Sequence, residues 1–368
     1  MPIYWGDIHG HSDLSNGLRT PEEYYAYGRD EAKLNFCALT DHVDNVPAAR
    51  LGLMAEASWT RIKEVTRQFN EPGKFVTFLG LERTVPSWDG RTPGSLAVYY
   101  KGDSGPMLLP KHPARDWLRP GAIDPRAEME QLAAALKGVD SLKVIQHSAS
   151  SRQGYTWAGA PLKYPVDLLQ IYSKWGSSEA PNSPFPISDG TGRGPRTGGT
   201  AHDALAAGFQ PGFVAGSGTH FGMPGSTVWE NDWGNAARYD RGGLTAVYAD
   251  ELSRGAIFDA LKSRRCYATT GERMELTFRI NDSPMGSVLA GPEKLRIHVK
   301  AIGTRQIKRA EVFKNGEITH HRIGGREELD MYFDEVPPTV PTWYYVRVTQ
   351  SGDDVAWSSP IWIQPKGE

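Results

Sequence analysis

The chain has 368 residues, of which 39% are hydrophobic and 23% charged, as in ordinary globular proteins and unlike disordered chains. Lys and Arg number 41 and Asp and Glu 43, so the formal net charge of −2 gives no support for a nucleic-acid or anionic-membrane partner. We find no apolar stretch near the ~20 residues of a membrane span and no signal-peptide pattern. Because Cys37 and Cys266 are too few for a disulfide framework, we expect a cytoplasmic location.

Short β-branched runs alternate with helical stretches through the first two-thirds of the chain. The helix predicted at 21–34 has Thr20 as its N-cap and Pro21 in its first turn. Further helices are predicted at 48–69 and 125–136. This alternation favours an α/β fold with a mainly parallel sheet or barrel. The strands are predicted at 3–8, 36–39, 75–81, 96–100, 142–145, 168–172 and 213–215.

The pattern changes near residue 272. A helix predicted at 250–265 is followed by a turn-rich stretch, and from residue 274 onward only short alternating runs remain, separated by turn signals such as Asn315-Gly316. We therefore expect an α/β domain at 1–272 and a small antiparallel, sandwich-like β domain at 273–368. The β domain is expected to be structural.

A histidine pair follows the first predicted strand, in the sequence DIHGHS. Alternate residues of a strand point the same way, so His9 and His11 can share a ligand, with Asp7 on the same side. An HxH pair at a strand end is a good chelate for a divalent transition metal. Alone, such a pair is weak evidence.

Later strand ends repeat the pattern of polar side chains after an apolar run. Each one alone is more readily explained as a satisfied polar residue, but their order on successive strands favours a shared site. The C-terminal ends of the strands of a parallel α/β barrel converge on one face, where active sites are built. The residues concerned, with those of the first strand, are Asp7, His9, His11, Asp41, His42, Glu82, His147 and His220.

Other polar residues are less specific. His112, in the loop Pro110-Lys111-His112-Pro113, suits a site and the surface equally. Lys111 could neutralise an anionic substrate, and a solvated surface position explains it equally well. The same two interpretations apply to Arg83, Arg152 and Lys174. A pocket wall or the core accounts for Trp157, Tyr172 and Trp175, a helix start is favoured for His202 and Glu179, and a surface position for His298, His320 and His321.

The combined motifs resemble the polymerase-and-histidinol-phosphatase (PHP) superfamily over about residues 3–272. DIHGHS, the stretch ending in LTDH, and the later glutamate and histidines carry the resemblance. The segments IYSKWGSSE, GFVAGSGTHFGMPGS and GGLTAVYADELSRGAIFDALKSRRCYATTGER resemble a long-form branch of largely unknown function. The resemblance implies a distorted (β/α)7 barrel, followed here by the small all-β domain. It also implies metal-dependent hydrolysis, most often of phosphate esters, with manganese, iron or zinc.

The resemblance also implies individual roles. His9 and His11 match ligands of a first metal, and Glu82 matches a bridging carboxylate. The remaining matches are His147 to a second metal, His42 and His220 to a third, and Asp7 and Asp41 to acidic positions that orient histidine ligands. The catalytic set expected on this basis is Asp7, Asp41, Glu82, Lys111 and His112.

Three positions depart from the family pattern. Asn16 and Gly218 stand where aspartate is usual, and Ser95 stands where histidine is usual. Each change removes a ligand, so we expect between one and three metal ions. The expected reaction is hydrolysis of a small anionic substrate by metal-activated water, with no nucleic-acid or membrane partner and an oligomeric state that the sequence does not define. The alternatives are hydrolysis of another ester or an amide, a barrel that binds a ligand or partner without turnover, and an interaction protein that works through its β domain.

Overall fold

The computed structural model describes seven segments of the chain, which together form two β-sheets with five short helices packed around them. Strands carry most of the regular structure. The described residues are 1–44, 53–89, 93–111, 122–164, 166–188, 193–226 and 242–366.

Four of the five described helices begin at a residue whose side chain caps the N-terminus; the remaining one begins after Ala55 and has no such cap. The Thr20 hydroxyl accepts a hydrogen bond from the backbone of Glu23, whose carboxylate accepts one from the backbone of Thr20 (2.9 Å). Asp124 and Ser253 cap two further helices with their side chains. No helix in the described segments is long and apolar enough to span a membrane. The helices are α1 (Pro21–Ala26, continued by a π-helical turn), α2 (Glu56–Phe69), α3 (Pro125–Ala135), α4 (Ala201–Ala206) and α5 (Arg254–Lys262).

The strands of the first two-thirds of the chain join one sheet. They are β1 (Ile3–Asp7), β2 (Phe36–Leu39), β3 (Val76–Pro86), β4 (Pro93–Tyr100), β5 (Ser141–Gln146), β6 (Leu168–Ser173), β7 (Gly176–Ser177), β8 (Gly212–Ala215) and β9 (Leu244–Tyr248). Their order in the sheet is β9-β1-β2-β3-β4-β5-β6-β8. Neighbours β1, β2 and β3 are parallel, as are β5, β6 and β8.

The expectation of a mainly parallel sheet is wrong for three of these strands. β4 runs antiparallel to both of its neighbours, β7 runs antiparallel to β6, and β9 runs antiparallel to β1. A short connection allows the antiparallel β3–β4 pair, whereas a parallel pair needs a long crossover. The sheet is therefore mixed.

The expected closed barrel is not formed by backbone pairing in the described segments. β8, at one end of the sheet, lies beside β9, but the hydroxyl of Thr245 takes up the backbone groups that a ladder would use. It accepts a hydrogen bond from the Ala215 amide (2.9 Å) and donates one to the Ala215 carbonyl (2.6 Å). A side-chain contact thus replaces the last strand pairing.

The regular structure within residues 270–366 consists of strands, and part of it continues the first sheet. β10 (Cys266–Thr269) pairs with β9 on one side and with β19 on the other. A second, four-stranded sheet has the order β12-β11-β14-β17, and the predicted boundary at 272/273 stays a prediction. The remaining strands are β11 (Glu275–Ile280), β12 (Ser283–Pro284), β13 (Val288–Ala290), β14 (Leu295–Ile302), β15 (Ile307–Lys314), β16 (Glu317–Ile323), β17 (Glu328–Glu335), β18 (Thr342–Gln350), β19 (Val355–Ser358) and β20 (Ile361–Gln364).

A buried charged network ties the β-rich region, residues 270–366, to Glu179, which lies just after β7. The Arg347 guanidinium on β18 donates to the carboxylates of Glu179 (2.9 Å) and Glu311 (2.9 Å), and the Tyr345 hydroxyl donates to Glu179 (2.6 Å). Glu179 is fully buried. Its carboxylate is used in this network, so the sequence interpretation that its charge serves a helix start is wrong. His202 also belongs here, 2.8 Å from the Tyr345 hydroxyl.

Candidate metal centre

Glu82 lies at the centre of a cluster of histidines on the C-terminal ends of the first strands. Its carboxylate is 3.3 Å from His9 Nε2, 3.8 Å from His11 Nε2 and 3.6 Å from His42 Nδ1. β1 leads to His9 and His11, β2 leads to His42, and Glu82 is on β3. Parallel pairing of these three strands therefore brings together residues that are far apart in sequence.

A second group of rings stacks beside Glu82. His11 lies between His42 and His220, with ring centroids 4.5 Å away on each side. The ligand atoms of His11, His42 and His220 lie within 4.8 Å of one another, and so do those of His9, His11 and Glu82. Each group has the donor types that hold a transition metal, and His11 belongs to both.

Several donor atoms at this centre are buried and lack a hydrogen-bond partner in the described segments. They are Nδ1 of His11, His42 and His147, and one carboxylate oxygen of Glu82. Unpaired buried polar atoms cost folding free energy, and a bound cation would satisfy them. The donor set and these unpaired atoms together fit a metal ion.

The electrostatics of the cluster also suit a cation. Burial, reinforced by His220, His42 and His9, lowers the pKa of His11 well below its usual value, and burial lowers the pKa of His147 to about 4. Burial opposes ionisation of Glu82, but the charges of His42 and His9 outweigh it and lower the pKa of Glu82. At neutral pH, His11 and His147 therefore offer neutral imidazole lone pairs, and Glu82 offers a carboxylate.

His147 reaches the cluster through an unusual backbone conformation. It follows the last residue of β5 with φ +31°, and its ring centroid is 6.0 Å from that of His9. Positive φ is costly for a residue other than glycine and is concentrated at functional sites. The turn directs the ring towards the cluster.

Asp7 and Asp41 lie next to the cluster and hold its loops. Asp7 accepts hydrogen bonds from the backbone amides of His9 (3.1 Å), Ser217 (3.0 Å) and Gly225 (2.7 Å). Asp41 accepts from the hydroxyl of Ser12 and from its amide at 2.7 Å. In the described segments neither carboxylate bonds a histidine ring, so the implied role of orienting the rings directly does not match these contacts.

Gln170 on β6 is the orienting residue that sequence interpretation missed. Its side-chain amide atoms Nε2 and Oε1 lie 2.8 and 3.2 Å from His9 Nδ1, on the ring edge opposite Glu82. The only signal in the sequence is a glutamine inside an apolar strand, Leu168–Ser173. This contact fixes the ring so that Nε2 faces the carboxylate.

Replacing Gln170 with leucine is expected to lower metal affinity by about 10–100-fold while leaving the chain folded, because ring-orienting partners typically contribute that much. Calorimetric titration of chelator-treated protein with Mn²⁺ or Zn²⁺ measures the effect. Gln68, an exposed residue of α2, is the matched control for glutamine replacement. Equal affinities in the wild type and Gln170→Leu would show that His9 needs no help from Gln170.

The lysines and arginines suggested to bind an anionic substrate lie partly at the metal centre and partly elsewhere in the structure. Lys174 is buried, with its ammonium 3.3 Å from His220 Nδ1 and 5.3 Å from the ring centre of Trp175. Arg83 is buried in an ion pair with Glu128 and is therefore not free to bind substrate. Lys111 and Arg152 are exposed and belong to neither ligand group, and His112 lies outside the described residues.

The three departures from the family pattern have different surroundings. Gly218 has φ +66°, and a Cβ there would lie 3.4 Å from His9 Cε1. It faces the centre from a left-handed turn after β8. Ser95 is buried on β4, and Asn16 lies within hydrogen-bond range of Ser15 (3.4 Å).

The predicted aromatic wall is partly core. Tyr172 stacks on Trp357 of β19 with ring centroids 5.7 Å apart, and Trp157 is buried against Phe209. Of these three aromatic residues, Trp175 is the one close to the centre; it is half-buried, and its ring faces the Lys174 ammonium. His298 and His320 pair with Asp330 and Glu335 on the β-rich region, as expected for surface residues.

Sequence comparison finds similarity to proteins without an assigned function. Residues 223–282 match a family model described as a protein of unknown function, DUF3604. An uncharacterized protein of Chlamydia pneumoniae is 28% identical over 384 residues, which cover 98% of this chain and 57% of the relative. The chain therefore spans a little more than half the length of that relative.

Among solved structures, a two-domain protein of Bacteroides vulgatus, described as containing a predicted PHP-like metal-dependent phosphoesterase, is 13% identical. The similarity covers 98% of this chain and 95% of that chain, with a TM-score of 0.48. A protein of Bifidobacterium adolescentis described as a candidate metal-dependent phosphoesterase is 14% identical over 59% of this chain and 88% of its own, with a TM-score of 0.34. Both structural similarities are limited, so the chemistry of the centre is inferred from the residues of this chain.

Proposed function

We propose that the protein is a metal-dependent hydrolase of phosphate esters. The observation that carries the proposal is the position of Glu82, a buried carboxylate within 3.3, 3.8 and 3.6 Å of ring nitrogens of three histidines. Packing alone does not account for four such groups in one place, because burying them costs free energy unless each is satisfied. A catalytic metal centre accounts for all of them.

The donor set indicates which residues would hold metal. His9, His11 and Glu82 form one ligand group and His11, His42 and His220 the other, with His147 as a further ligand beside His9. Mixed imidazole and carboxylate ligands suit manganese, iron or zinc, in one to three positions. When bound, such an ion supplies Lewis-acid polarisation of an ester oxygen and acidifies water enough for hydrolysis near neutral pH.

The chain's own residues prepare this chemistry. Glu82 supplies the negative charge that a dication needs, and Gln170 fixes the ring of His9. Asp7 and Asp41 fix the backbone of the loops that carry His9, His11 and Ser217. Under the proposal their catalytic role is to hold the ligands in place, which preorganises the centre.

A phosphate ester is favoured because a buried cation adjoins the centre. The Lys174 ammonium lies beside His220, where it would attract an anionic substrate and restrain it next to the ligand groups. Lys111 stays a prediction for the same role, and His112 stays a predicted site residue. The small anionic substrate and the location of the whole protein are likewise proposals.

Hydrolysis of a panel of substrates tests the proposal. Chelator-treated protein is supplied with Mn²⁺, Fe²⁺ or Zn²⁺ and assayed on phosphate monoesters, a carboxylic ester and an amide. We expect metal-dependent release of phosphate, lost on chelation and in Glu82→Gln. Release of product only from the carboxylic ester or the amide would replace the phosphoesterase by the alternative hydrolase. Full metal loading without any turnover would favour a ligand-binding protein.

A further inference from the structure

Gln146, the last residue of β5, has a buried side chain whose amide is unpaired within the described residues. It is 1% exposed, and neither its Nε2 nor its Oε1 has a hydrogen-bond partner in the described segments. An amide offers two donors and an acceptor with two lone pairs. A buried amide whose donors and lone pairs have no hydrogen-bond partner costs folding free energy. We therefore expect a bound group to supply that partner.

The strand register places this side chain on the same face of the sheet as Glu82. Residues directly opposite each other on antiparallel strands point to the same face. Glu82 lies opposite Ala97, and Ala97 lies opposite Val144. Two residues further along both strands, Ser95 lies opposite Gln146. Because side chains alternate along a strand, Ser95 and Gln146 share the face that carries Glu82.

The parallel neighbour of β5 gives the same orientation. Val144 pairs with Leu168 of β6, and two residues further on come Gln146 and Gln170. Gln170 is the residue whose amide holds His9. Gln146 therefore lies between Ser95 and Gln170 in a row of polar side chains along the rim of the metal centre. Only Gln170 of the two glutamines has its amide engaged.

We propose that Gln146 and Ser95 form a neutral hydrogen-bonding subsite for a hydroxyl group of the substrate, which makes phosphate esters of polyols or sugars the substrate class. The inference rests on the proposed function and deepens it. A neutral hydroxyl fits because both residues can donate and accept without carrying charge, whereas a buried charged group would require a counter-charge.

Binding of two non-hydrolysable compounds tests the subsite. Propylphosphonate and 2,3-dihydroxypropylphosphonate have the same carbon chain and phosphonate, and they differ only in hydroxyl groups. Calorimetry with the Mn²⁺-loaded full chain is expected to show the dihydroxy compound binding about tenfold tighter to the wild type. In Gln146→Leu the two affinities are expected to agree within about twofold, with metal content unchanged and a melting temperature equal or higher by roughly 1–3 °C.

Gln170→Leu is the contrasting variant. It should lower the metal content, but the molecules that still hold metal should keep their preference for the dihydroxy compound. Equal affinity of the wild type for both phosphonates, no binding of either, or a preference that survives Gln146→Leu would overturn the subsite. Because binding needs no turnover, the two proposals separate. A hydroxyl preference without hydrolysis of any phosphate ester contradicts the proposed function alone, and hydrolysis without the preference contradicts the subsite alone.

Discussion

Replacing His11 with alanine is expected to abolish metal binding at both ligand groups. His11 is the only residue shared by the group with His9 and Glu82 and the group with His42 and His220. Losing a direct ligand should reduce affinity by more than the 10–100-fold typical of an orienting residue. Elemental analysis of purified protein after growth in supplemented medium measures the loss. His9→Ala should remove only the ion that depends on the first group.

His298→Ala is the control for this experiment, because His298 lies on β14 and pairs with Asp330 far from the ligand groups. Its metal content should match the wild type. Melting temperatures of the three variants establish that each is folded. If folded His11→Ala retained wild-type metal content, neither ligand group would be a metal site.

Replacing Arg347 with methionine is expected to destabilise the protein by about 3–5 kcal/mol, since two buried carboxylates lose their only shared counter-charge. Glu179 and Glu311 are 0% and 2% exposed, and both accept from this guanidinium. Burial opposes the charge on Arg347, but Glu179 and Glu311 outweigh it and raise its pKa. Urea denaturation measures the change.

Arg309→Met is the matched control, because Arg309 is also within 3.4 Å of Glu311 but is 45% exposed. Its loss should change the free energy of unfolding by less than about 1 kcal/mol. Changing both Glu179 and Glu311 to glutamine in the Arg347→Met background should recover part of the stability. A loss below about 1 kcal/mol for Arg347→Met would show that the network is not needed to join the β-rich region to Glu179.

The candidate ligand residues could be predicted because their positions relative to the strands are a local feature of the sequence. His9, His11, His42, Glu82 and His147 all follow or end an apolar run, and parallel pairing then brings the strand ends together. Local pattern and a general rule on barrels were sufficient. The cap at Thr20 was predicted for the same reason, since a cap is a local motif.

The missed features depend on distant parts of the chain. The contact of Gln170 with His9 spans 161 residues, and that of Glu179 with Arg347 spans 168. Nothing in the residues next to Gln170 distinguishes it from Gln146, whose amide is unpaired. The antiparallel course of β4 and the Thr245 contact at β8 likewise follow from how strands meet. Such pairings are set by tertiary packing.

Anomalous X-ray scattering from crystals of the Mn²⁺-loaded full chain tests the metal centre most directly. We expect a peak about 2.0–2.3 Å from the Glu82 carboxylate and from ring nitrogens of His9 and His11, the distances typical of carboxylate and imidazole ligands. A second peak among His11, His42 and His220 would show that both ligand groups are used. A fully loaded crystal whose only peaks lie away from Glu82 would show that this cluster is not a metal site.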